Sequence, residues 1–197
     1  MKLYFSPGAC SLADHIALIE SGLPFEMEKV DLEAKRTASG TDYMVINPKG
    51  YVPALGLDEG GVLTENIAIL SYIAELSGKL TPPRELGRSR VLEALAYIST
   101  ELHKGFKPFF MPSSSGEEKS LACEVLAKRF ALFEVALGHH PYAVGDSFTV
   151  ADCYLFVMLF WAKEKVGLDV PASLSAYYER LRDRNAVGTA LKDEGLA

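Results

Sequence analysis

Cys10 is the residue of this 197-residue sequence whose type and position could most directly do chemistry. It follows a short apolar run, Leu3–Phe5, and a Pro7–Gly8 turn, and it immediately precedes a stretch with helical periodicity. The unpaired N–H groups and the partial positive charge of a helix N-terminus favour a thiolate over a thiol. The sequence therefore predicts that Cys10 is a reactive thiol whose pKa lies below the usual value.

The alternative for Cys10 is a small buried core residue, but its place between a strand and a helix favours the reactive interpretation. Ala13 stands three positions on, so no C-x-x-C motif forms and a self-contained dithiol oxidoreductase is excluded. A redox cycle at Cys10 would need a second thiol from a small molecule. The other two cysteines, Cys123 and Cys153, lie in apolar helical stretches and are predicted to be core residues. Their spacing matches no zinc pattern, so no metal is expected.

Val52 and Pro53 precede a second short apolar run. A cis peptide bond between them would turn the Val52 backbone outward, ready to pair with an extended, peptide-like ligand. An ordinary trans proline at the start of a strand fits the sequence equally well.

Two further positions could bind charged or thiol groups. Glu65 and Asn66 precede a helical stretch, where Asn66 could be the N-cap, the first N–H groups could hold a carboxylate and Glu65 could pair with an ammonium group. An amino-acid zwitterion would satisfy both groups, whereas a plain cap beside a solvated acid is the alternative. His103, on a long predicted helix, could donate to a thiolate or be a satisfied core histidine.

The elements that must position these residues divide the chain at the turn-rich segment 78–83. Residues 1–80 alternate short β-like runs with helical stretches in the order β-α-β-α-β-β-α, which predicts an α/β domain with a mixed sheet, in which Phe25–Val30 is an edge strand. Beyond the linker, residues 87–197 are predicted to form an all-α domain. Its helices are expected at Val91–Phe106, Glu117–Leu137, Thr149–Val166 and Leu174–Leu181. Thr149 and Asp152 form a capping box, so Asp152 is interpreted as a folding signal.

Composition excludes several classes of protein. A net charge of −6 and a pI near 5.3 disfavour a nucleic-acid binder, which needs a clustered basic surface. The N-terminus has no signal-peptide pattern, and the most apolar run, Cys153–Ala162, is too short to span a bilayer. We expect a cytoplasmic protein that does not bind membranes, with reduced thiols.

Five segments together resemble cytosolic glutathione transferases, and in particular the bacterial beta class. They are Tyr4–Ser11, Asn47–Leu55, Leu63–Ile69, Thr100–Phe106 and Asp146–Asp152. Each is weak alone, but all five occur in the family's order and spacing. The resemblance implies a thioredoxin-like N-terminal domain followed by an all-helical C-terminal domain, normally in a homodimer.

The resemblance also implies a role for particular residues toward glutathione, the co-substrate. Cys10 would lie beside the glutathione sulfur, and Val52, before a cis Pro53, would pair with the cysteinyl backbone. The other implied contacts are Lys35 with the glycyl carboxylate, Glu65 and Asn66 with the γ-glutamyl group, and Thr100 and His103 approaching from the helical domain. Two positions depart from the family pattern: relatives usually have Ser or Gly at Asn66, and often Asn at Ala96.

The function expected from this resemblance is conjugation of the glutathione thiolate to a small apolar electrophile, typical of detoxification, with Cys10 and His103 as catalytic residues. The expected electrophile pocket lies between the domains. Its candidate lining residues, which could equally be core or dimer interface, are Phe5, Phe106, Phe109, Phe110 and Met111. Thiol transfer or peroxidase activity through a Cys10–glutathione mixed disulfide is a second hypothesis. A non-catalytic carrier of apolar ligands, or an interaction module, is the third.

Overall fold

The computed structural model describes all residues from Met1 to Ala197. The chain forms two compact units, one made of Met1–Leu80 together with Arg184–Ala197, and the other of Thr81–Asp183. The sequence assigned residues 184–197 to the helical domain, whereas the structure groups them with the N-terminal unit. The expected α/β domain followed by an all-helical domain is otherwise confirmed.

The first unit is built on one mixed sheet in the order β3-β2-β1-β4-β5. The strands are β1 (Lys2–Phe5), β2 (Glu26–Asp31), β3 (Arg36–Thr37), β4 (Ala54–Gly56) and β5 (Val62–Thr64). Only β1 and β2 run parallel, and the other pairs are antiparallel. Leu3 on β1 lies opposite Leu55 on β4, and both side chains are fully buried. The sheet thus has its centre at β1, the strand that leads directly to Cys10.

The prediction that Phe25–Val30 is an edge strand is wrong, because β3 pairs with the outer side of β2. The chain reverses after Asp31, whose carboxylate accepts from the N–H groups of Glu33 and Ala34 at 2.9 Å. Lys35 then adopts a left-handed backbone conformation, with φ of 54°. This turn sets Lys35 on a fixed bend immediately before β3.

Three helices accompany the sheet within the first part of the chain. They are α1 (Leu12–Ser21), α2 (Tyr43–Ile46) and α3 (Asn66–Ser77). Gly22 ends α1, with φ of 75° and its N–H bonded to the carbonyls of Leu18 and Ile19. The buried face of α1 packs against α3.

The second unit is entirely helical. Its α-helices are α4 (Gly87–Tyr97), α5 (Lys107–Phe110), α6 (Gly116–Leu137), α7 (Val150–Phe160) and α8 (Ala172–Arg182). All of the side chains of α7 are buried, in keeping with its nearly continuous apolar sequence. The helix continues as a π-helical turn over Trp161–Val166 and ends at Gly167, which has φ of 71°. None of the helices is long and apolar enough to cross a membrane.

The single helix predicted for Val91–Phe106 is three segments. The α-helix ends at Tyr97, a π-helical turn covers Ile98–Leu102, and a 3-10 turn covers His103–Phe106. α6 comes so close here that a Cβ added to Gly105 would lie 2.7 Å from the Leu126 side chain. The wider π-helical turn and the tighter 3-10 turn thus lie beside a close helix–helix contact, and His103 stands at the junction between the two geometries.

The final helix, α9 (Asn185–Asp193), was not predicted, because its short sequence has only four buried apolar residues. They are Ala186, Val187, Ala190 and Leu191, and they lie on the face that packs against α1. Arg184, just before α9, forms an ion pair with Glu20 at 2.8 Å. Burial of this face and the Arg184–Glu20 pair attach the end of the chain to the N-terminal unit.

Candidate functional site

The loop that carries Cys10 is closed by its own hydrogen bonds. The N–H of Ala9 donates to the Ser6 carbonyl at 3.0 Å, and the Ser11 hydroxyl accepts from the Ser6 N–H at 3.3 Å. Gly8 makes the turn with φ of 68°. Its N–H donates to a Glu194 carboxylate oxygen at 2.8 Å. The loop is therefore fixed from both within and outside its own sequence.

Glu194 is a residue that the sequence analysis missed. Its second oxygen lies 3.1 Å from His15 Nδ1, so one fully buried carboxylate joins the loop to α1. No motif marks this contact, because Glu194 and Gly8 are 186 positions apart.

Cys10 is half-buried, and its thiol donates a hydrogen bond to the Val52 carbonyl at 3.3 Å. Burial raises the pKa of the Cys10 thiol to about 12, and the nearby Asp14 carboxyl adds to this rise. The N–H groups of Cys10 and Ser11 favour the thiolate but do not outweigh burial. The predicted lowering of the Cys10 pKa is therefore wrong for the protein without a ligand.

The Val52–Pro53 peptide bond is cis, which decides between the two alternatives that the sequence left open. The segment before it is anchored by Tyr43 Oη and Asn47 Nδ2, which donate to the Tyr51 carbonyl at 3.0 and 2.7 Å. Lys35 Nζ donates to the Gly50 carbonyl at 2.7 Å. The sequence-predicted Lys35 and Val52 thus lie along one short stretch of backbone, close to Cys10.

Asn66 is the first residue of α3 rather than its N-cap, a position that Glu65 takes with a left-handed φ of 75°. The Asn66 side chain does not cap the helix and instead lies toward the Cys10 loop. Its Nδ2 donates to the Cys10 carbonyl at 3.2 Å. Its Oδ1 is buried without a hydrogen-bond partner.

Glu65 is exposed and held by two residues that the sequence analysis did not assign to the site. Lys49 Nζ forms an ion pair with Glu65 Oε1, and Tyr51 Oη donates to the same oxygen at 2.7 Å. Both contacts lower the pKa of the Glu65 carboxyl, that of Lys49 more than that of Tyr51. Lys49 and Tyr51 belong to the Asn47–Leu55 motif, so the segment was marked by its resemblance, but these two side chains were given no role.

In the helical unit, Thr100 and His103 lie in consecutive turns. The exposed Thr100 hydroxyl donates to the Ala96 carbonyl at 2.9 Å. His103 Nδ1 lies 2.5 Å from Tyr154 Oη, and burial lowers the pKa of the imidazole to about 4. Tyr154 is a further residue that sequence reasoning did not assign to the site, because it stands within the apolar run Cys153–Ala162.

The aromatic residues predicted to line an electrophile pocket differ in how far their side chains are exposed to solvent. Phe106 is completely buried and packs on Phe130 and Trp161, so its assignment to an open pocket is corrected to a core position. Phe5 is also buried, and Phe109 is half-buried. Phe110 and Met111 are 50% and 43% exposed. Cys153 is buried as predicted, whereas Cys123 is half-buried.

Within the N-terminal unit, the predicted site residues are connected by contacts around the Gly50–Val52 segment. Cys10 contacts Val52 through sulfur and Asn66 through its backbone, while Lys35 and Glu65 flank the same segment. This arrangement offers a cation, a carboxylate, a buried acceptor and a thiol to an extended molecule that carries both charges.

Comparison with known proteins agrees with this geometry. Residues 1–75 match the N-terminal domain of glutathione S-transferases, and residues 117–183 match the C-terminal domain. The chain is 44% identical over 200 residues to glutathione S-transferase GstA of Escherichia coli O157:H7, with 100% of both chains covered.

Solved structures of glutathione S-transferases are also similar to this protein over the whole chain. A sphingomonad glutathione S-transferase complexed with glutathione has a TM-score of 0.93 and 48% identity, with 100% of both chains covered. A bacterial beta class glutathione S-transferase from Sphingomonas chungbukensis has a TM-score of 0.91 and 44% identity, again with 100% of both chains covered. Because both domains match in order and the whole chain aligns with named members, this protein belongs to the glutathione S-transferase family, is a transferase and resembles the bacterial beta class.

Proposed function

We propose that this transferase binds glutathione along the Gly50–Val52 segment and the start of α3, and conjugates its thiolate to a small apolar electrophile. Lys35 receives the glycyl carboxylate, the Val52 backbone pairs with the cysteinyl residue, and Glu65 with Asn66 holds the γ-glutamyl group. The similar sphingomonad enzyme, solved with glutathione, supports glutathione as the substrate. It also favours the enzyme over a non-catalytic carrier or an interaction module.

The observation that carries this proposal is the meeting of Cys10, Val52 and Asn66. Asn66 is only 7% exposed and its Oδ1 has no hydrogen-bond partner in the protein. Buried polar atoms are normally paired, so an unpaired acceptor beside the Cys10 loop suits a donor supplied by a ligand. The γ-glutamyl ammonium group is such a donor, and the neighbouring Glu65 carboxylate supplies its counter-charge.

Conjugation requires a stabilised glutathione thiolate rather than a Cys10 thiolate. The Cys10 thiol, with its raised pKa, is protonated near neutral pH and can donate a hydrogen bond to the glutathione sulfur in place of the Val52 carbonyl. We propose that His103 is the second donor to that thiolate and that Thr100 lies nearby. Such pre-placed donors stabilise the thiolate and align it for attack on the electrophile.

Thiol transfer is a second reaction that the same residue could carry out, because Cys10 is only partly buried. Its thiolate would attack the glutathione sulfur of a mixed disulfide and release the other thiol. A second glutathione thiolate would then attack the glutathionyl–Cys10 bond, releasing oxidised glutathione and restoring Cys10. A protonated Cys10 leaves little thiolate for this route at neutral pH, so its rate should rise with pH.

Calorimetric measurement of glutathione binding tests the roles assigned to Lys35 and Glu65. Lys35→Ala and Glu65→Ala should each raise the dissociation constant about tenfold or more, since a charge-assisted hydrogen bond contributes roughly 1.5–3 kcal/mol. The controls are Lys29→Ala and Glu59→Ala, which remove exposed charges of the same type elsewhere in the unit. Wild-type affinity in either site variant would contradict its assigned role.

Turnover assays separate the two reactions. Cys10→Ser should retain much of the conjugating rate with a generic aryl halide, because a hydroxyl can still donate to the thiolate. It should abolish turnover of a glutathione mixed disulfide, because the hydroxyl cannot form the disulfide. Undiminished disulfide turnover would remove Cys10 from thiol transfer.

We also propose that the chain acts as a cytoplasmic homodimer in detoxification. Large apolar side chains on α6 support the dimer: Leu132 and Val135 are 55% and 78% exposed. Leu132 also lines a cavity of about 510 Å³ with residues of α4 such as Arg90 and Tyr97. Equilibrium sedimentation should give about twice the chain mass of 21.5 kDa, and a single-chain mass at micromolar protein would contradict the dimer.

A further inference from the structure

His103 is held by a contact on only one of its two ring nitrogens. His103 begins the 3-10 turn His103–Phe106, and its Nδ1 lies 2.5 Å from Tyr154 Oη on α7. Tyr154 is 1% exposed, and its ring stands perpendicular to the imidazole, at a centroid distance of 5.8 Å and an angle of 89°. The phenol therefore meets the imidazole edge from a fixed, buried position.

A second aromatic ring restrains His103 further. The Trp161 ring lies 5.0 Å from the imidazole centroid at an angle of 79°, and Trp161 is itself 4% exposed. Burial lowers the pKa of His103 to about 4, and the neighbouring Lys104 charge contributes to the lowering. The imidazole is therefore neutral at neutral pH and carries one N–H, on either Nδ1 or Nε2.

The contact with Tyr154 decides which nitrogen carries the proton. A phenol O–H is a stronger donor than a neutral imidazole N–H, and an imidazole nitrogen is a stronger acceptor than a phenol oxygen. The stronger of the two arrangements has Tyr154 Oη donating to Nδ1, which leaves the proton on Nε2. The hydrogen bond made by one ring nitrogen thus sets the tautomer at the other.

We propose that Tyr154 is a positioning residue that fixes His103 in the Nε2–H tautomer, so that Nε2 donates to the glutathione thiolate. This inference rests on the proposed function, in which His103 is a donor to that thiolate. A neutral N–H donor has an advantage over an imidazolium, because it stabilises the sulfur anion without transferring a proton to it. The opposite tautomer would present an unprotonated nitrogen to an anion and would repel it.

The test compares Tyr154→Phe with wild type, since phenylalanine keeps the buried ring and removes only the hydroxyl. Nitrogen-15 spectroscopy of His103 distinguishes the two tautomers directly. Wild type should be almost entirely the Nε2–H form, and Tyr154→Phe should become a mixture. The conjugating kcat should fall in proportion to the lost Nε2–H form, about twofold for an even mixture, while the KM for glutathione changes little.

Tyr178→Phe is the matched control, because it also removes one phenolic hydroxyl, bonded to Glu164 at 3.1 Å, from a buried tyrosine of the same unit. It should change neither the His103 tautomer nor kcat. A melting temperature for each variant separates loss of folding from loss of positioning.

The results distinguish failure of the Tyr154 positioning role from failure of the proposed function. An unchanged tautomer in Tyr154→Phe, or a shifted tautomer with unchanged kcat, would overturn the positioning role. If His103→Ala also kept the wild-type kcat, the proposed donor role of His103 would fail as well. Absence of glutathione binding by wild type would overturn the proposed function, and the tautomer ratio would still decide whether Tyr154 sets the proton on His103.

Discussion

At the scale of single residues, burial governs the ionisation of both candidate catalytic side chains. The N–H groups at the start of α1 favour a Cys10 thiolate, but a helix terminus contributes only about 0.3–1 kcal/mol, less than one pKa unit. Desolvation moves the pKa of a buried group by up to about 3–5 units. The Cys10 pKa rises to about 12 and the His103 pKa falls to about 4, so both side chains are neutral near pH 7.

This ionisation predicts the pH dependence of Cys10 alkylation. Only the thiolate reacts, and its fraction in the folded protein should keep rising with pH up to about 12. The rate of iodoacetamide labelling at Cys10 should therefore increase about tenfold per pH unit from pH 6 to pH 9, without a plateau. Peptide mass mapping assigns the label to Cys10 or to half-buried Cys123. A plateau near pH 7 at Cys10 would show the lowered pKa that the sequence alone suggested.

At the scale of elements, α6 and α7 both begin with a capping box, but the first box is exposed and the second is buried. In α6 the Ser115 hydroxyl accepts from the Glu118 N–H at 3.1 Å, in solvent. In α7 the Asp152 carboxylate is buried and accepts from the N–H groups of Ala143 and Thr149, both at 2.7 Å, and from Tyr177 Oη at 2.5 Å. Asp152 therefore binds the loop at Ala143 and α8 at Tyr177 as well as capping its own helix, which agrees with its interpretation as a folding signal.

Substitutions in the two boxes should differ in their effect on the free energy of unfolding. Ser115→Ala removes an exposed cap and should cost about 0.5–2 kcal/mol. Asp152→Ala leaves several buried donors without an acceptor and should cost roughly 3–5 kcal/mol. Urea unfolding of the two variants beside wild type measures both values. Equal losses would mean that the Asp152 contacts with Ala143 and Tyr177 add nothing to the cap.

At the scale of the whole molecule, the N-terminal unit is completed by the last residues of the chain. α9 packs its apolar face on α1, and Glu194 connects the Gly8 N–H with His15 Nδ1. The loop that carries Cys10 is thus supported by a carboxylate 186 positions away in the sequence.

Glu194→Ala should therefore loosen the Cys10 loop. The change leaves the buried Gly8 N–H and His15 Nδ1 without their acceptor, so stability should fall by roughly 1–3 kcal/mol. Hydrogen exchange should accelerate most in residues 6–10 and α1. Glu179→Ala, which removes an exposed carboxylate paired with Lys163 in the other unit, is the control and should leave that exchange unchanged. Unaltered protection of the loop in Glu194→Ala would show that Glu194 does not support it.

Features encoded by residues close together in the sequence were predictable. Most of the order of elements, apart from β3 and α9, follows from periodicity, and the stop at Gly22, the capping box of α7 and the linker follow from short motifs, whose physics acts within a few residues. The motifs that resemble glutathione transferases also indicated Cys10, Lys35, Val52, Glu65 and Asn66 as site residues, and the fold brings these residues to one segment of the N-terminal unit.

What only the tertiary structure decided depends on burial and on partners distant in sequence. The sequence placed Cys10 at a helix start but could not show that its sulfur is desolvated beside the Val52 carbonyl. Tyr154 lies 51 positions from His103, and Glu194 lies 186 positions from Gly8. Protonation states and supporting contacts at this site are set by which groups packing excludes from water, and no local pattern carries that information.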